Sequence, residues 1–453
     1  MKRIGLYLFT QDCRVQDNDA LYLLSASVDT LVCLYCAPPQ TRFDKHFSQT
    51  TSSQAQRGYL KSTLQGLQNA LAQFGQTLNI EYGDPRVVVS DYIHRYEITH
   101  VGSSIPVAYN ESRLWQWLKN TFSDVNFQTA NNSQIYYRTQ LPFDLAELPK
   151  SFSSFRKRIE RDEQCDRALI APQQPCFHLP PPPYMMQFKL PQHLINSQNN
   201  DYYGGEDNAQ KHLAAYFRSH AASHYKQTRN ALHGSHFSTS FSPYLAHGAL
   251  SPQQVLRALN EYESQYGSNE STYLIYFEFL WREHFHWYSQ LHQGALFKFT
   301  GITQTKPLTS FYAHLFSAWC NANTPEPLVN ALMNELNETG WVSNRGRQII
   351  ASYLVNELQV DWRYGAAYFE QRLIDYDAPS NWGNWQYIAG VGADSRGGRH
   401  FNIQKQTQLY DPEGTYTQLW RPKNTPSVPL DLIDHTDMTG WPNDQPGRLS
   451  NAK

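Results

Sequence analysis

The chain has 453 residues, 40% hydrophobic and 17% charged, which is enough for two large domains that each bury a core and too apolar for wholesale disorder. Its 38 Lys and Arg against 40 Asp and Glu leave a formal net charge of -2, so any binding to nucleic acid has to come from a local patch. The apolar runs fall far short of the roughly 20 residues that cross a bilayer, the start reaches Gln11-Asp12 too early for an export signal, and six cysteines are too few for a disulfide scaffold, so a cytoplasmic protein with no membrane partner is expected.

Arg3 to Phe9, Thr30 to Cys36, Thr77 to Glu81 and His100 to Gly102 read as strands, and Leu60, Leu64, Leu67, Leu71 and Phe74 recur at helical spacing between two of them. This alternation predicts an α/β domain over residues 1–130, a Rossmann-like parallel sheet with helices on both faces. Residues 131–203 carry Pro142, Pro149, Pro172, Pro175, Pro180 to Pro183 and Pro191, which keep regular elements from lasting, and read as an interdomain connection. Strand signals almost vanish over 204–420. Helical periods replace them, at Ala209, Leu213, Tyr216 and Phe217, over Tyr276 to Tyr288, and over Gln348 to Leu358, so a mostly α-helical second domain is predicted. The 421–453 tail, with five prolines and few large apolar residues, reads as loosely ordered.

Three clusters carry chemistry. Ser238, Thr239, Ser240 and Ser242 place four hydroxyls ahead of Pro243, and with the N–H groups of a helix start such hydroxyls either hold a pyrophosphate or simply cap the helix. Glu278, Trp281 and Arg282, at spacings of three and four, put an acid, a stacking plate and a cation on one helix face. Asp375 and Asp377 lie near Asn381 and several aromatics, and the arginines of Gly340 to Arg347 are there to neutralise them. No Ser/His/Asp or Cys/His order emerges. No metal site is expected: Glu283, His284 and His286 come closest and lack HExxH spacing.

The second and third clusters, with Tyr225 to Asn230, Asn381 to Gly392 and Arg399 to Gln406, resemble the photolyase/cryptochrome family and, within it, the DASH group; Phe9 to Leu21 is similar to that family's first loop. The resemblance implies an N-terminal domain that holds an antenna pigment and a helical domain that encloses FAD. Tyr225, Ser238, Thr239, Ser240 and Ser242 would bind its phosphates and ribityl chain, and Arg282, Asn344, Arg347, Asp375 and Asp377 would surround the flavin. Asn381 matches the residue facing flavin N5, where a neutral amide suits an electron-donating reduced flavin better than a carboxylate does. Asn110 and Glu111 match an antenna motif that holds methenyltetrahydrofolate.

The same resemblance implies light-driven repair of pyrimidine dimers. Glu278 would hydrogen-bond the dimer, and Trp281 would stack on it. Tyr387 stands where duplex-repairing relatives usually place a Trp, and a smaller plate gives less stacking to offset extrusion from a duplex, which favours single-stranded DNA. Lys226, Arg229, Arg345 and Arg399 are the candidate contacts to the strand, but Ser240 and Gln253 replace cations usual in the family. Trp385 and Trp362 match the proximal and middle members of a photoreduction relay whose third position falls on Thr309, with Trp319 or Tyr312 as substitutes. A monomer is expected, with RNA as a second strand type and a flavin photosensor as the alternative function.

Overall fold

Burial alternates along the first strand in the way a two-faced sheet requires. Leu6 and Leu8 pack into one apolar cluster with Val89, Ile93, Trp115 and Leu118, while Tyr7 and Phe9 pack into another with Leu21, Leu24, Leu64, Leu67 and Leu71. The computed structural model describes residues 2–37, 52–166, 178–195, 197, 202–234, 236–393 and 398–421. Within them β1 (Ile4–Phe9), α1 (Asp19–Ser27), β2 (Thr30–Ala37), α2 (Gln54–Ala72), β3 (Leu78–Tyr82), α3 (Pro85–Arg95), β4 (His100–Ser104), α4 (Tyr109–Thr121) and β5 (Asn126–Ala130) follow one another. The five strands are all parallel, in the order β3-β2-β1-β4-β5, with α1 and α2 on one face and α3 and α4 on the other.

Local chemistry sets the helix starts. The Asn18 side chain accepts from the N–H of Leu21 to begin α1, Ser53 caps α2 through the N–H of Gln56, and Asp84 with Pro85 begins α3. The α/β reading holds, and β5 is a strand that the sequence pattern did not yield. Asn126 to Ala130 contains one large apolar residue and lies at a sheet edge, so its alternation is too weak to stand out.

The proline-rich connection still forms one capped helix, Phe152–Ile159, with 3₁₀ turns on either side. The second half is helical. Asn269 caps the long helix Glu270–His292, which packs on Ala378–Ala389, which in turn packs on Trp362–Arg372. Gln348 to Leu358 is not one continuous α-helix: Asn344–Ser352 gives way to a π-turn at Tyr353–Glu357. The predicted tail from 422 onward lies outside the described residues.

The two halves are joined by buried polar struts. The Arg14 guanidinium is 1% exposed and donates to the carbonyls of Gly248 at 2.9 Å and Asn132 at 2.8 Å. Glu206 accepts from the backbone N–H groups of Val15 and Gln16, both at 2.9 Å. At Gly248 the backbone is left-handed (φ 68°), and a Cβ would sit 2.0 Å from the Gln11 carbonyl oxygen, so this contact tolerates only glycine.

Candidate functional site

The helices Asn344–Ser352, Trp362–Arg372 and Ala378–Ala389 leave a partly open cavity between them, lined by polar and aromatic side chains. Asn344, Arg347, Asp375, Asp377, Asn381, Trp385 and Tyr387 all line it, so residues separated by 43 positions in the chain meet at one place.

The two carboxylates are held from one side only. Asp375 Oδ2 accepts from the Ser242 hydroxyl at 2.6 Å and pairs with Arg347 Nη2 at 2.8 Å, while its buried Oδ1 has no partner. Asp377 Oδ2 caps the helix Ala378–Ala389 through Ser380 and accepts from His286 Nε2 at 3.2 Å, and its Oδ1 is also unpartnered. Burial opposes the charge on Asp377, but His286, Arg282 and Ser380 outweigh it and hold the carboxyl well below the usual carboxylate range. Burial and the nearby Arg282 push the His286 imidazole down, against the pull of Asp377. A buried carboxylate oxygen without a donor is costly unless a ligand supplies one. A flavin dinucleotide carries such donors in its ring N–H, ribityl and ribose hydroxyls and adenine amino group, and the two orphaned oxygens fit it.

Asn381 Nδ2 donates to the Ala366 carbonyl at 3.0 Å, which fixes the amide plane at the cavity wall. Trp385 reaches the cavity because residue 365 is glycine: a Cβ there would lie 2.2 Å from its Cη2. Trp362 stands one turn before Gly365 on the same helix and donates its indole N–H to the Phe299 carbonyl at 3.1 Å. Ring contacts join Trp385 to Trp319, with centroids 6.3 Å apart, and Trp362 to Trp382, 5.8 Å apart.

At the rim, Tyr387 meets Trp281 edge to face at 5.9 Å. Trp281 is stacked on Phe152 at 3.7 Å and 13°, so one face of its ring is already covered. One turn earlier, Glu278 forms an ion pair with Arg229 Nη2 at 2.6 Å. Burial raises the Glu278 carboxyl above its ordinary value, and Arg229 offsets only part of that rise.

The other candidates stand elsewhere. Tyr225 opens the turn Tyr225–Thr228 and is not among the residues lining the cavity, nor are Ser238, Thr239 and Ser240, which sit in the turn before Ser242–Ala246. Ser242 touches the cavity through Asp375. Arg282 Nη1 donates to the Ser133 carbonyl at 2.6 Å. Of the cations, Lys226 pairs with Glu270 at 2.5 Å on the surface, Arg345 donates to Asn230 at 2.9 Å and lies over Phe401 and Tyr410, and Arg399 lies over Tyr387 at 5.0 Å. Gln253, where a cation was missed in the sequence, donates to the Ile135 carbonyl at 3.1 Å. Asn110 and Glu111 begin α4, and Glu111 lines a small cleft with Thr10, Ser103 and Ser104 where the strand order reverses between β1 and β4. Thr309, Trp319 and Tyr312 lie apart from the cavity wall: Trp319 is fully buried, while Tyr312 is exposed.

Sequence reasoning missed Phe152, hidden in the proline-rich stretch, and His286, set aside with the unused metal candidates. Among the described residues no three His, Cys, Asp or Glu side chains gather to hold a metal, and no helix is long and apolar enough to cross a membrane.

Residues 5–177 match the family model for DNA photolyase and residues 274–443 match that for the FAD binding domain of DNA photolyase. The chain is 44% identical over 442 residues to cryptochrome DASH of Vibrio parahaemolyticus, covering 97% of each, and 42% identical to cryptochrome DASH of Idiomarina loihiensis, covering 97% of this chain and 96% of that one. The solved structure of Synechocystis cryptochrome superposes with a TM-score of 0.84 at 33% identity, over 96% of this chain and 92% of that one. With an FAD-binding helical half, a parallel α/β half and relatives of this closeness over nearly its whole length, the chain belongs to the photolyase/cryptochrome family, in its cryptochrome DASH group.

Proposed function

We propose that the protein is a light-driven lyase that splits cyclobutane pyrimidine dimers in single-stranded DNA. The observation that carries this reading is a half-buried acid, Glu278, one turn from a ring, Trp281, that meets the cavity-lining Tyr387. Reduced FAD, when bound, supplies an electron on excitation by blue light. The chain's own residues do the rest. Asp375 and Asp377 present unpartnered oxygens to cofactor donors, and the Asn381 amide keeps negative charge away from an electron-rich ring. Trp281, backed by Phe152, and Tyr387 give the extruded dimer aromatic surface, and the Glu278 carboxyl hydrogen-bonds it.

Single strands are favoured because the cations near the rim are spent internally: Arg229 on Glu278, Lys226 on Glu270 and Arg345 on Asn230. Few free cations leave little phosphate attraction to offset the cost of opening a duplex, a few kcal/mol. RNA is a weaker second strand type, and the working unit is a monomer. Residues 1–130 form the antenna half, with methenyltetrahydrofolate held at Asn110 and Glu111, 131–203 the connection and 204–420 the flavin half. Blue illumination of the reduced holoprotein with dimer-bearing single strands tests the reading. Loss of dimers in light and not in darkness supports it; full retention of dimers favours the second reading, a flavin photosensor, which the same internally engaged cations support.

A further inference from the structure

Trp382 links the relay to a phenol that has a base beside it. Its ring meets that of Trp362 at 5.8 Å and 78°, and its indole N–H is shared between the Tyr376 hydroxyl at 3.2 Å and Glu370 Oε2 at 3.3 Å. The Tyr376 hydroxyl donates to the same carboxylate oxygen at 2.8 Å. Trp382 is 1% exposed, and Tyr376 also lines the flavin cavity.

A phenol that loses an electron becomes a strong acid, so the oxidation proceeds readily only where a base within hydrogen-bond reach takes the proton. The second aromatic route from the cavity lacks such a base. Trp385 meets Trp319, and Trp319 meets Tyr368 at 5.5 Å, but the Tyr368 hydroxyl donates to the Asn337 amide oxygen and the Cys320 carbonyl, neither of which accepts a proton at neutral pH. Tyr376 has a carboxylate in that position. No described residue stands between it and Trp382: the two share a hydrogen bond.

We propose that Tyr376 is the terminal electron donor of a photoreduction branch through Trp382, with Glu370 as its proton acceptor. Trp385 gives one electron to a photoexcited oxidised flavin, Trp362 refills Trp385, Trp382 refills Trp362 and Tyr376 refills Trp382. The phenolic O–H breaks, its proton moves to Glu370 Oε2, and a neutral tyrosyl radical remains. One electron leaves Tyr376 and one reaches the flavin, and the proton stays within the chain. This branch rests on flavin binding and on the relay reading of Trp385 and Trp362, and it is independent of dimer repair.

Electron paramagnetic resonance of the holoprotein with oxidised flavin, frozen under blue light without added reductant, tests it. A tyrosyl signal is expected, narrowed when the protein is grown with ring-deuterated tyrosine. Y376F abolishes it, and E370Q cuts its yield at least tenfold, in samples whose flavin absorbance shows the cofactor retained. A tryptophan radical alone in the unmodified protein, a tyrosyl signal unchanged in Y376F, or an unchanged yield in E370Q overturns the proposal. The deuterium readout needs no variant, so a misfolded mutant does not shelter it. Dimer splitting by chemically reduced holoprotein bypasses the branch, so a failed repair assay with an intact tyrosyl signal counts against repair alone.

Discussion

Arg229 and Glu278, 49 positions apart, meet as an ion pair at 2.6 Å one turn from Trp281, with Glu278 30% exposed at its side chain. The pair engages Arg229 and so removes it from the pool of cations free to hold phosphate.

Glu278→Gln removes the acid proposed to bond the dimer and keeps its shape. A hydrogen bond to a charged or acidic group contributes about 1.5–3 kcal/mol, so repair should fall about 10- to 100-fold. Photoreduction, proposed to run through Trp385 and Trp362, should stay within twofold. Dimer loss per absorbed photon and flavin bleaching, measured on the same preparation, check both. An unchanged repair yield would remove Glu278 from the substrate pocket.

Asp375→Asn cancels the charge that holds both Ser242 and Arg347 and leaves Arg347 without its counter-ion. Flavin retention should drop at least tenfold. Titration of the apoprotein with FAD, followed by flavin fluorescence, gives the affinity directly.

Gly365→Ala forces a methyl to 2.2 Å from Trp385 Cη2 and to 2.6 Å from Leu354 Cδ2. Overpacking of this kind costs about 1–3 kcal/mol. The melting temperature should fall, and photoreduction should slow because Trp385 must shift from the cavity wall. A variant as stable and as fast as the parent would show that this wall yields freely.

Burial raises the Glu283 carboxyl to about 7, although it accepts from the N–H groups of Ile135 and Tyr136 and from Trp287. A carboxyl raised on folding takes up a proton as the chain folds. Its contribution is therefore present below the unfolded value and is lost as pH rises through about 7. The stability advantage of the parent over Glu283→Gln should shrink by about 3 kcal/mol between pH 4.5 and 7.5. Urea unfolding at the two pH values measures it, and a constant gap would mean that the carboxyl ionises normally.

The part of the site that was legible in the sequence was the part held by one short stretch. Asp375, Asp377, Asn381 and Trp385 fall within eleven positions, and the helix that Asp377 caps carries Asn381 and Trp385 to the same wall. The sheet was legible at its centre, where β1 and β2 are buried on both faces and read as apolar runs, and at the β3 edge, where Leu78, Ile80 and Tyr82 alternate; β5, the other edge, has one large apolar residue and did not stand out. What stayed hidden was non-local. Nothing near Trp281 in the chain announces Phe152 beneath it, and nothing near Arg229 announces Glu278. Tyr376 and Trp382 were in plain view between the carboxylates and the relay ring, but their meaning depends on Glu370, which approaches from another helix.

Splitting a cyclobutane dimer restores two conjugated pyrimidine rings and with them their ultraviolet absorbance. The decisive measurement is that recovery, followed under blue light with reduced holoprotein on one dimer placed first in a single strand and then in the matching duplex. Recovery on the single strand, at least tenfold faster than on the duplex, is the expected result. No recovery on either strand, with flavin bound and reduced, would contradict it.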